Sequence, residues 1–397
     1  MAEQRPLDGI RVLDLSQVIA GPTAVTLLAD HGADVIKVER PGTGDPMRVF
    51  GHRKDGISLH WKFLGRNRRS LTLDPSTPEG RDVLLELVAG SDVMVESFRP
   101  GTLERWKLGY ENLSAANPGI ILARISGFGQ TGPMSSQPGF GTLAEAMSGY
   151  AHISGEIGGP PRLPAFPLAD AVAGLVASFG IMAAIRAREA TGRGQEVDTS
   201  LLEPMLFIMG AQPTVYDQLG IVANPTGGRP VAAGPRGSFQ CSDGTWISLA
   251  SSTTPTAERV MELVGWPEVT QEPWFATGRG RAEHIDELHE AIAAWVVQRP
   301  RDEVLEMMAQ AGAAAGPVFH IGEIIEDEQF AAIEAFTRVE DQDFGNVLMQ
   351  NVPVKLSETP GRVESAGPRL GEHTDEVLEE FGIDAERRTA LRAAGVI

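Results

Sequence analysis

The order of apolar runs along the first half of the chain predicts an α/β fold. Short runs dense in Val, Ile and Leu, which are typical of buried parallel strands, recur with helical patterns between them. The strand-like runs lie at residues 10–15, 35–38, 70–73, 93–96 and 120–125. Such alternation indicates a doubly wound, Rossmann-like parallel sheet with helices on both faces.

Residues 10–45 have the pattern of one βαβ unit. A strand-like run is followed by a turn at Gly21-Pro22, a short helical pattern at 23–29 and a second strand-like run at 35–39. The second strand leads into Arg40 and a Pro-Gly-Thr-Gly loop. A cation beside glycines at the carboxyl end of a strand is typical of a site for a phosphorylated ligand.

A dinucleotide is one interpretation of that ligand. Glu39 ends the second strand, where an acidic residue would bind a ribose. The first turn, residues 17–22, holds one glycine instead of three, so a pyrophosphate could not approach the backbone there. The sequence therefore disfavours a nicotinamide or flavin dinucleotide.

A long, Ala-rich and nearly uncharged segment at residues 168–187 predicts a helix that begins at Asp170. Because it is apolar all round, we expect it to be a buried core element. Glycines at 192 and 194 end it, and a strand at 195–200 and a second buried helix at 201–209 follow.

The second half of the chain changes character after a Gly- and Pro-rich stretch at residues 221–236, the best linker candidate. Runs at 237–241 and 246–250 predict a β-hairpin, and helical patterns follow it. The predicted domains are a large one at 1–220, a smaller α+β one at 225–325, and a return to the large domain at 326–397, with a strand-like run at 347–352 and final helices.

The composition is that of an ordinary globular protein, with 397 residues, 42% hydrophobic and 22% charged. No charge-free apolar run reaches the ~18 residues of a membrane span, and no apolar signal segment follows the polar start. We therefore expect a cytoplasmic protein without a membrane partner. The single Cys241, the scattered histidines and the lack of a Gly-x-Ser-x-Gly elbow predict neither a metal site nor a serine nucleophile.

The net charge of −19 disfavours nucleic acid as a partner. Residues 37–107 nevertheless carry 13 Lys and Arg against 10 Asp and Glu, a local excess of +3 that leaves −22 for the remainder. Two explanations stay open: chance variation on solvated helix faces, or cations kept where a polyphosphate binds. The candidate cations are Lys37, Arg40, Arg48, Arg53, Arg66, Arg68, Arg69, Arg99 and Arg105.

Asp170 is the one acid between Glu156 and Glu189. Aspartate is a preferred N-cap, so a structural role at the helix start is one interpretation. The other is chemical: the helix N-terminus would hold the carboxylate ionised, and such a group can act as a covalent nucleophile. Two Gly-Phe-Gly runs, at 127–129 and 139–141, precede it, the first at the carboxyl end of a predicted strand.

Taken together, these features resemble the family III CoA-transferases, the group that includes formyl-CoA, carnitine and succinyl-CoA:glutarate CoA-transferases. The resemblance covers essentially the whole chain, with its blocks in the expected order. The matching blocks are Gly21-Pro22, 30–45, Asn67-Arg68-Arg69-Ser70, 96–101, Ser126 to Pro133, Leu168-Ala169-Asp170 with Gly174, 191–200, and Leu370-Gly371-Glu372-His373-Thr374.

The resemblance implies a large domain whose doubly wound parallel sheet is formed by both chain ends, a smaller inserted α+β domain, and a homodimer interlocked like rings of a chain. Coenzyme A or acyl-CoA would be a substrate, with no permanently bound cofactor. Asp170 matches the catalytic aspartate of the family. The positions that match CoA contacts are Ile19, Ala20, Arg40, Leu73, Ser97, Phe98, Arg99, Arg105, Pro138, Gly139 and Phe140.

The resemblance also implies a reaction: CoA moves from a succinyl-CoA-like donor to a small carboxylic acid through an aspartyl anhydride and an aspartyl-CoA thioester. Two departures concern the substrate, since Ile19 replaces a Gln of several members and residues 251–254 replace a glycine-rich loop. An acyl-CoA racemase and a non-catalytic CoA-binding paralogue are the alternatives. Phe140 stands where related racemases carry a His, so racemisation is disfavoured.

Overall fold

The computed structural model describes residues 4–229 and 232–397, so residues 230 and 231 of the predicted linker lie outside it. The strands in the described part are β1 (Arg11–Asp14), β2 (Asp34–Glu39), β3 (Arg53–Lys54), β4 (Ile57–Ser58), β5 (Arg68–Thr72), β6 (Val93–Glu96), β7 (Ile121–Ser126), β8 (Glu196–Ser200), β9 (Arg236–Gln240), β10 (Trp246–Ala250), β11 (Ala315–Pro317), β12 (Phe336–Asp341) and β13 (Gly345–Gln350).

The α-helices follow the apolar patterns closely in the first half of the chain. They are α1 (Ala20–Asp30), α2 (Leu59–Leu64), α3 (Pro78–Ala89), α4 (Thr102–Arg105), α5 (Tyr110–Ala116), α6 (Gly141–Met147), α7 (Tyr150–Ile153), α8 (Leu168–Thr191), α9 (Leu202–Ile208), α10 (Gln212–Leu219), α11 (Thr254–Leu263), α12 (Gly278–Glu283), α13 (Ile285–Val296), α14 (Arg301–Gln310), α15 (Ile321–Glu326), α16 (Glu328–Ala332), α17 (Thr374–Glu380) and α18 (Ala385–Ala393). Three short 3₁₀ helices occupy Pro46–Val49, Pro267–Gln271 and Pro273–Ala276.

Six parallel strands form the main sheet in the order β5-β2-β1-β6-β7-β8. Val12 of β1 lies opposite Val35 of β2 on one side and Val93 of β6 on the other. Counted along the chain, the order is 3-2-1-4-5-6, the order of the Rossmann fold, which reverses between β1 and β6. The predicted doubly wound α/β fold is therefore confirmed.

The expectation that both chain ends form the sheet is wrong, because every strand of it comes from residues 11–200. The strand-like run at 347–352 lies largely in β13, which pairs antiparallel with β12 across a tight turn and so satisfies its backbone bonds locally. The C-terminal helices α17 and α18 instead cover one face of the sheet, where Leu378 and Leu391 join its buried core.

Contacts group the described residues into two units. The first contains residues up to Tyr150, Leu163–Pro213 and Gln329–Ile397, and the second contains Ala151–Arg162 and Thr214–Glu328. The second unit has its own core beneath the antiparallel sheet β11-β10-β9, whose β9–β10 pair is the predicted hairpin. The predicted domains at 1–220, 225–325 and 326–397 stay a prediction.

Helix α8 is buried on one face only, so the prediction of a helix buried all round is wrong. Its buried face is built from Ala and Gly and packs against α1, and a Cβ at Gly174 would lie 2.7 Å from the Ala20 carbonyl oxygen. The opposite face exposes large apolar side chains such as Phe179, which is 76% exposed. In length and apolar composition α8 could cross a membrane, but its small-residue face lies in the core of the first unit.

Helix α9, which was also predicted to be buried, has an exposed side as well. Pro204 and Met205 are buried, whereas Phe207 is 82% exposed. The apolar sequence of this segment could not separate the core-facing side from the exposed one, because both sides carry large hydrophobic residues.

A network of four buried charges joins the end of β1 to the interior of β2, the loop after β2 and the start of β5. Lys37 lies 3.0 Å from an Asp45 carboxylate oxygen and 3.5 Å from Asp14, and it also donates to the carbonyl of Ser16. The guanidinium of Arg68 lies 3.0 Å from Asp14. The side chains of all four residues are 0–1% exposed, so each cation neutralises a carboxylate that water does not reach.

We expect Lys37→Met to destabilise the protein by about 3–5 kcal/mol, because removing one member of a buried ion pair leaves a carboxylate uncompensated. The free energy of unfolding from urea titrations measures this change. Lys107→Met, at an exposed lysine, serves as the control. Equal stability of the two variants would show that the buried network contributes nothing.

Candidate active site

The reversal of strand order between β1 and β6 opens a crevice at the carboxyl ends of the strands, where α/β folds bind ligands. A cavity of about 280 Å³ lies there. Arg40, Leu73 and Phe98, which are three of the residues that the family resemblance assigns to CoA, line it. The other lining residues are Leu15, Gln17, Val38, Asp74, Pro75, Ser76, Thr102 and Trp106.

A second, smaller cavity of about 70 Å³ lies at the carboxyl ends of β6 and β7. Phe98 lines both cavities, so they meet at this side chain. The lining residues that the resemblance assigns to CoA are Ser97, Phe98, Arg99, Pro138, Gly139 and Phe140. Eight of the eleven expected CoA positions therefore lie along one continuous crevice.

The loop between the two cavities, residues 97–99, is held from below by a buried carboxylate. Glu96 accepts a hydrogen bond of 2.6 Å from the Phe98 N–H and one of 2.9 Å from the Arg124 guanidinium. Burial raises the pKa of Glu96 to about 7, although Arg124 opposes the rise. The Gln17 N–H donates to the Ser97 hydroxyl at 2.8 Å, which ties this loop to the turn after β1.

The structure shows which of the candidate cations are already paired with acids, which the charge count could not show. Five of them are engaged in buried or half-buried ion pairs and are not available to a polyphosphate. These are Lys37 with Asp14 and Asp45, Arg48 with Glu39, Arg66 with Asp30, Arg68 with Asp14, and Arg69 with Asp34, Glu376 and Glu380.

Arg40, Arg99 and Arg105 are exposed, and none of them has an ion-pair partner among the described residues. Arg105 donates only to the Thr102 hydroxyl, at 2.9 Å. Arg40 and Arg99 line the two cavities. Two of the unpaired cations, Arg40 and Arg99, thus lie at the crevice, whereas Arg53, which is also exposed, lines neither cavity.

Glu39 is not available for a ribose. It is buried, it accepts two hydrogen bonds from Arg48, at 2.7 and 2.6 Å, and it accepts a third from Ser70. The acidic residue that favoured a dinucleotide is therefore a structural partner of Arg48.

Asp170 is the third residue of α8, and its side chain packs against Gly141, the first residue of α6. A Cβ at position 141 would lie 2.2 Å from the Asp170 Oδ2 atom, so only glycine leaves room for this carboxylate. The N-cap of α8 is Pro167, with no side-chain capping bond. The interpretation of Asp170 as an N-cap is therefore wrong.

Glu145, a residue that sequence reasoning missed, provides the capping bond of α8 instead. It is 4% exposed, and its Oε1 atom accepts from the Ala169 N–H at 3.2 Å. Burial and, to a lesser extent, the negative charge of Glu145 raise the pKa of Asp170 to about 6. The hydrogen bond that Asp170 accepts from its own backbone acts in the opposite direction. The pKa of Asp170 is thus shifted in the direction opposite to the lowering that a helix N-terminus alone would cause.

The two Gly-Phe-Gly runs connect Asp170 to the crevice. A Cβ at Gly139 would lie 2.7 Å from the Gly127 Cα atom, so the backbones of the two runs are in direct contact at these two glycines. Phe140, 68% exposed, is the N-cap of α6. Residues 138–140 of this turn therefore line the small cavity, and the next residue, Gly141, contacts Asp170.

Ile19 and Ala20 line neither cavity, and their place is the start of α1. Ile19 is the N-cap of this helix and packs beside the buried Met47 and Trp61. The Ala20 carbonyl faces Gly174, one turn after Asp170 on the same side of α8. The amino end of α1 therefore lies next to the Asp170 turn.

Ser126, at the end of β7, is a second residue that the sequence did not single out. It lines the small cavity, it is 8% exposed, and its hydroxyl has no hydrogen-bond partner in the described part of the chain. A buried hydroxyl without a partner costs free energy unless a ligand or water binds it. Free cations and a buried hydroxyl thus line the two cavities, and Asp170, which lines neither of them, packs on Gly141 directly after the turn that lines the smaller one.

Comparisons with known proteins agree with this arrangement. The sequence model of CoA-transferase family III matches residues 7–374. The chain is 40% identical to the succinyl-CoA–D-citramalate CoA-transferase of Chloroflexus aurantiacus, over 99% of this chain and 98% of the relative. It is also 40% identical to the beta subunit of the succinyl-CoA–L-malate CoA-transferase of that organism, with the same coverage.

Among solved structures, a CaiB/BaiF family protein from Brucella suis matches with a TM-score of 0.85 and 31% identity, over 95% of this chain and 100% of the other. The match to the family model and to relatives of 40% identity spans nearly the whole chain, including both cavities and the Asp170 turn. The chain therefore belongs to CoA-transferase family III and is a CoA-transferase.

Proposed function

We propose that the enzyme transfers CoA from a succinyl-CoA-like donor to a small carboxylic acid, with Asp170 as the covalent nucleophile. The observation that carries the proposal is the place of this carboxylate, which packs on Gly141 at the end of the turn that lines the crevice. A carboxylate with a raised pKa is a better nucleophile than an ordinary aspartate and is still largely ionised near neutral pH.

In the first half of the reaction, Asp170 displaces the CoA thiolate from the acyl group of the donor, and CoA then displaces the donor acid from Asp170. An Asp170 oxygen attacks the thioester carbonyl carbon, the C–S bond breaks, and the negative charge passes from the carboxylate to the CoA thiolate. The product is an aspartyl–acyl anhydride. The thiolate then attacks the aspartyl carbonyl, which releases the donor acid as a carboxylate and leaves an aspartyl-CoA thioester.

The second half repeats these steps in reverse with the acceptor acid. Every intermediate is an activated acyl group, so the free energy of the thioester is kept as long as water is excluded. The N–H groups at the amino end of α1, near Ile19 and Ala20, are suitable donors for the oxyanion that forms in each step.

We place the CoA nucleotide in the larger cavity, with Arg40, Arg99 and Arg105 near its phosphates. The pantetheine chain then passes Ser97 and Phe98, where the two cavities meet, toward the turn at residues 138–140. The unpartnered Ser126 hydroxyl is a further donor for the polar groups of this chain.

The names of the relatives support the choice of substrates. Both are named for succinyl-CoA as one substrate and for a hydroxylated dicarboxylic acid as the other. We therefore propose succinyl-CoA as the donor and a small carboxylic acid, of which dicarboxylic acids are the first to examine, as the acceptor.

The exposed apolar faces of α8 and α9 support a homodimer, which the family resemblance describes as interlocked. Leu175, Val176, Phe179 and Phe207 line a shallow groove there, a larger exposed apolar surface than a monomer needs. One relative is the beta subunit of its enzyme, so pairing with a related chain is the alternative. We also propose the domain roles that the family resemblance implies and a cytoplasmic location.

The nucleophile is tested by trapping. Incubation with succinyl-CoA and hydroxylamine should convert Asp170 to a hydroxamate, because hydroxylamine attacks both the anhydride and the thioester, and peptide mass spectrometry locates the change. Asp170→Ala should lose CoA transfer by at least about 10³-fold. An Asp170→Ala enzyme with full turnover would overturn the proposal, and solvent deuterium at the α-carbon without an acceptor would favour a racemase.

The CoA site is tested by Arg40→Ala, which we expect to weaken CoA binding by about tenfold to a hundredfold, because one hydrogen-bonded charge pair to a phosphate is lost. Isothermal titration with CoA measures the change. Arg53→Ala is the matched control, since Arg53 is exposed but lines neither cavity. Equal affinities of the two variants would contradict the placement of the nucleotide.

The raised pKa of Asp170 predicts a pH-dependent stability. Since the folded-state pKa of about 6 lies above the unfolded value of about 3.9, ionised Asp170 destabilises the fold above pH 6, and this cost disappears as the pH falls toward 4. Asp170→Asn should therefore raise Tm at pH 8, have about half of that effect at pH 5 and have little effect near pH 4. Glu189→Gln, an exposed acid at the other end of α8, should show no such pH dependence.

A further inference from the structure

Glu145 and Asp170 form a pair of carboxylates on facing elements, and no cation neutralises the pair among the described residues. Gly141 and Glu145 lie one turn apart on α6 and so share a face of that helix. The Asp170 carboxylate packs over Gly141, and the Glu145 carboxylate binds the Ala169 N–H, one residue before Asp170. The two acids thus meet where α6 contacts the first turn of α8.

We propose that Glu145 is a positioning residue for Asp170, which fixes the first turn of α8 and, by its negative charge, favours the acylated form of Asp170 over the free carboxylate. The second part rests on the proposed function. The reasoning is electrostatic: acylation of Asp170 removes its charge and places it on the CoA thiolate, so a fixed negative neighbour favours the neutral covalent states.

Other charged groups do not explain the environment of Asp170. Helix α8 packs against α1, α6, α9, β7 and β8. The charged side chains on those elements are Asp30, Glu145, Glu203, Arg124, Glu196 and Asp198. Of these, Glu145 alone acts on the Asp170 carboxyl, and it acts in the direction expected of a like charge.

The capping role of Glu145 explains why this carboxylate is tolerated in the interior. Pro167 provides no side-chain bond to the helix, and Glu145 provides the acceptor for the Ala169 N–H of the first turn. Glu145 is attracted to these donors and to the positive end of the helix. Glu145 therefore lies at the positive end of the helix, whose field would otherwise have lowered the pKa of Asp170.

The test is Glu145→Gln, because Gln keeps an oxygen that can accept from Ala169 but carries no charge. We expect the acid limb of the kcat/KM profile to move down by about one pH unit, the scale of shift that a neighbouring like charge causes. At pH 8 we expect kcat to fall by up to about tenfold, since one pKa unit corresponds to a factor of ten. KM for the acyl-CoA should change little.

Two further variants separate charge from structure. Glu145→Asp keeps the charge but shortens the reach to Ala169, so it should lose stability and retain the acid limb near pH 6. Glu189→Gln removes an exposed charge from the other end of α8 and should leave the profile unchanged. An unchanged acid limb in Glu145→Gln, or a shifted limb in Glu145→Asp, would overturn the proposal.

A measurement without turnover keeps the inference distinct from the proposed function. Asp170→Asn should raise Tm at pH 8 less in the Glu145→Gln background than in the wild type, because the repulsion it relieves has already been removed. Equal gains in both backgrounds would refute the electrostatic coupling even in an active enzyme. Unequal gains in a protein without CoA transfer would support the coupling and refute the proposed function.

Discussion

The rest of the site depends on the buried ion pairs of Lys37. This lysine joins Asp14, at the end of β1, to Asp45, in the loop after β2, and it also holds the Ser16 carbonyl. Asp45 in turn accepts from the N–H of Val18, a non-glycine residue with a φ of 65°. The turn that opens the crevice is thus held in an unfavourable backbone conformation by charges that water does not reach. A solvated lysine in this place could not impose such a constraint, because water would compete for both carboxylates.

Close backbone approach is the second constraint, and it explains the glycines of the site. Gly127 and Gly139 touch, Gly141 leaves the space that Asp170 fills, and Gly174 allows α8 to lie against α1. These contacts place Asp170, the proposed nucleophile, at the end of the same turn that lines the small cavity. A methyl group at any of them would move either the carboxylate or the ligand wall by more than a covalent reaction tolerates.

The sequence predicted the parallel sheet well, because buried strands and their intervening helices leave strong periodic signals. It could not show which faces of α8 and α9 are buried, since the exposed faces also carry large apolar residues such as Phe179 and Phe207. It also could not separate Arg40 and Arg99 from Arg68, because a charge count does not show which cations are neutralised by neighbours distant in sequence. Asp170 was found through its isolation and the family resemblance, whereas Glu145 left no signal apart from its spacing of four from Gly141.

The two acids at the first turn of α8 show how one helix end can serve chemistry in two opposite ways. A helix N-terminus alone lowers the pKa of a nearby carboxylate, which makes the group a weaker nucleophile and stabilises its free form. Here Glu145 binds the Ala169 N–H at the positive end of α8, and burial and repulsion outweigh the hydrogen bond that Asp170 accepts from its own backbone. In the proposed mechanism the enzyme must return to an acyl-aspartate of about the same free energy as a thioester, so a stable free carboxylate would be a thermodynamic trap. A destabilised free carboxylate lies closer in free energy to the covalent intermediates. A reversible transfer of CoA between two acids requires such small differences in free energy.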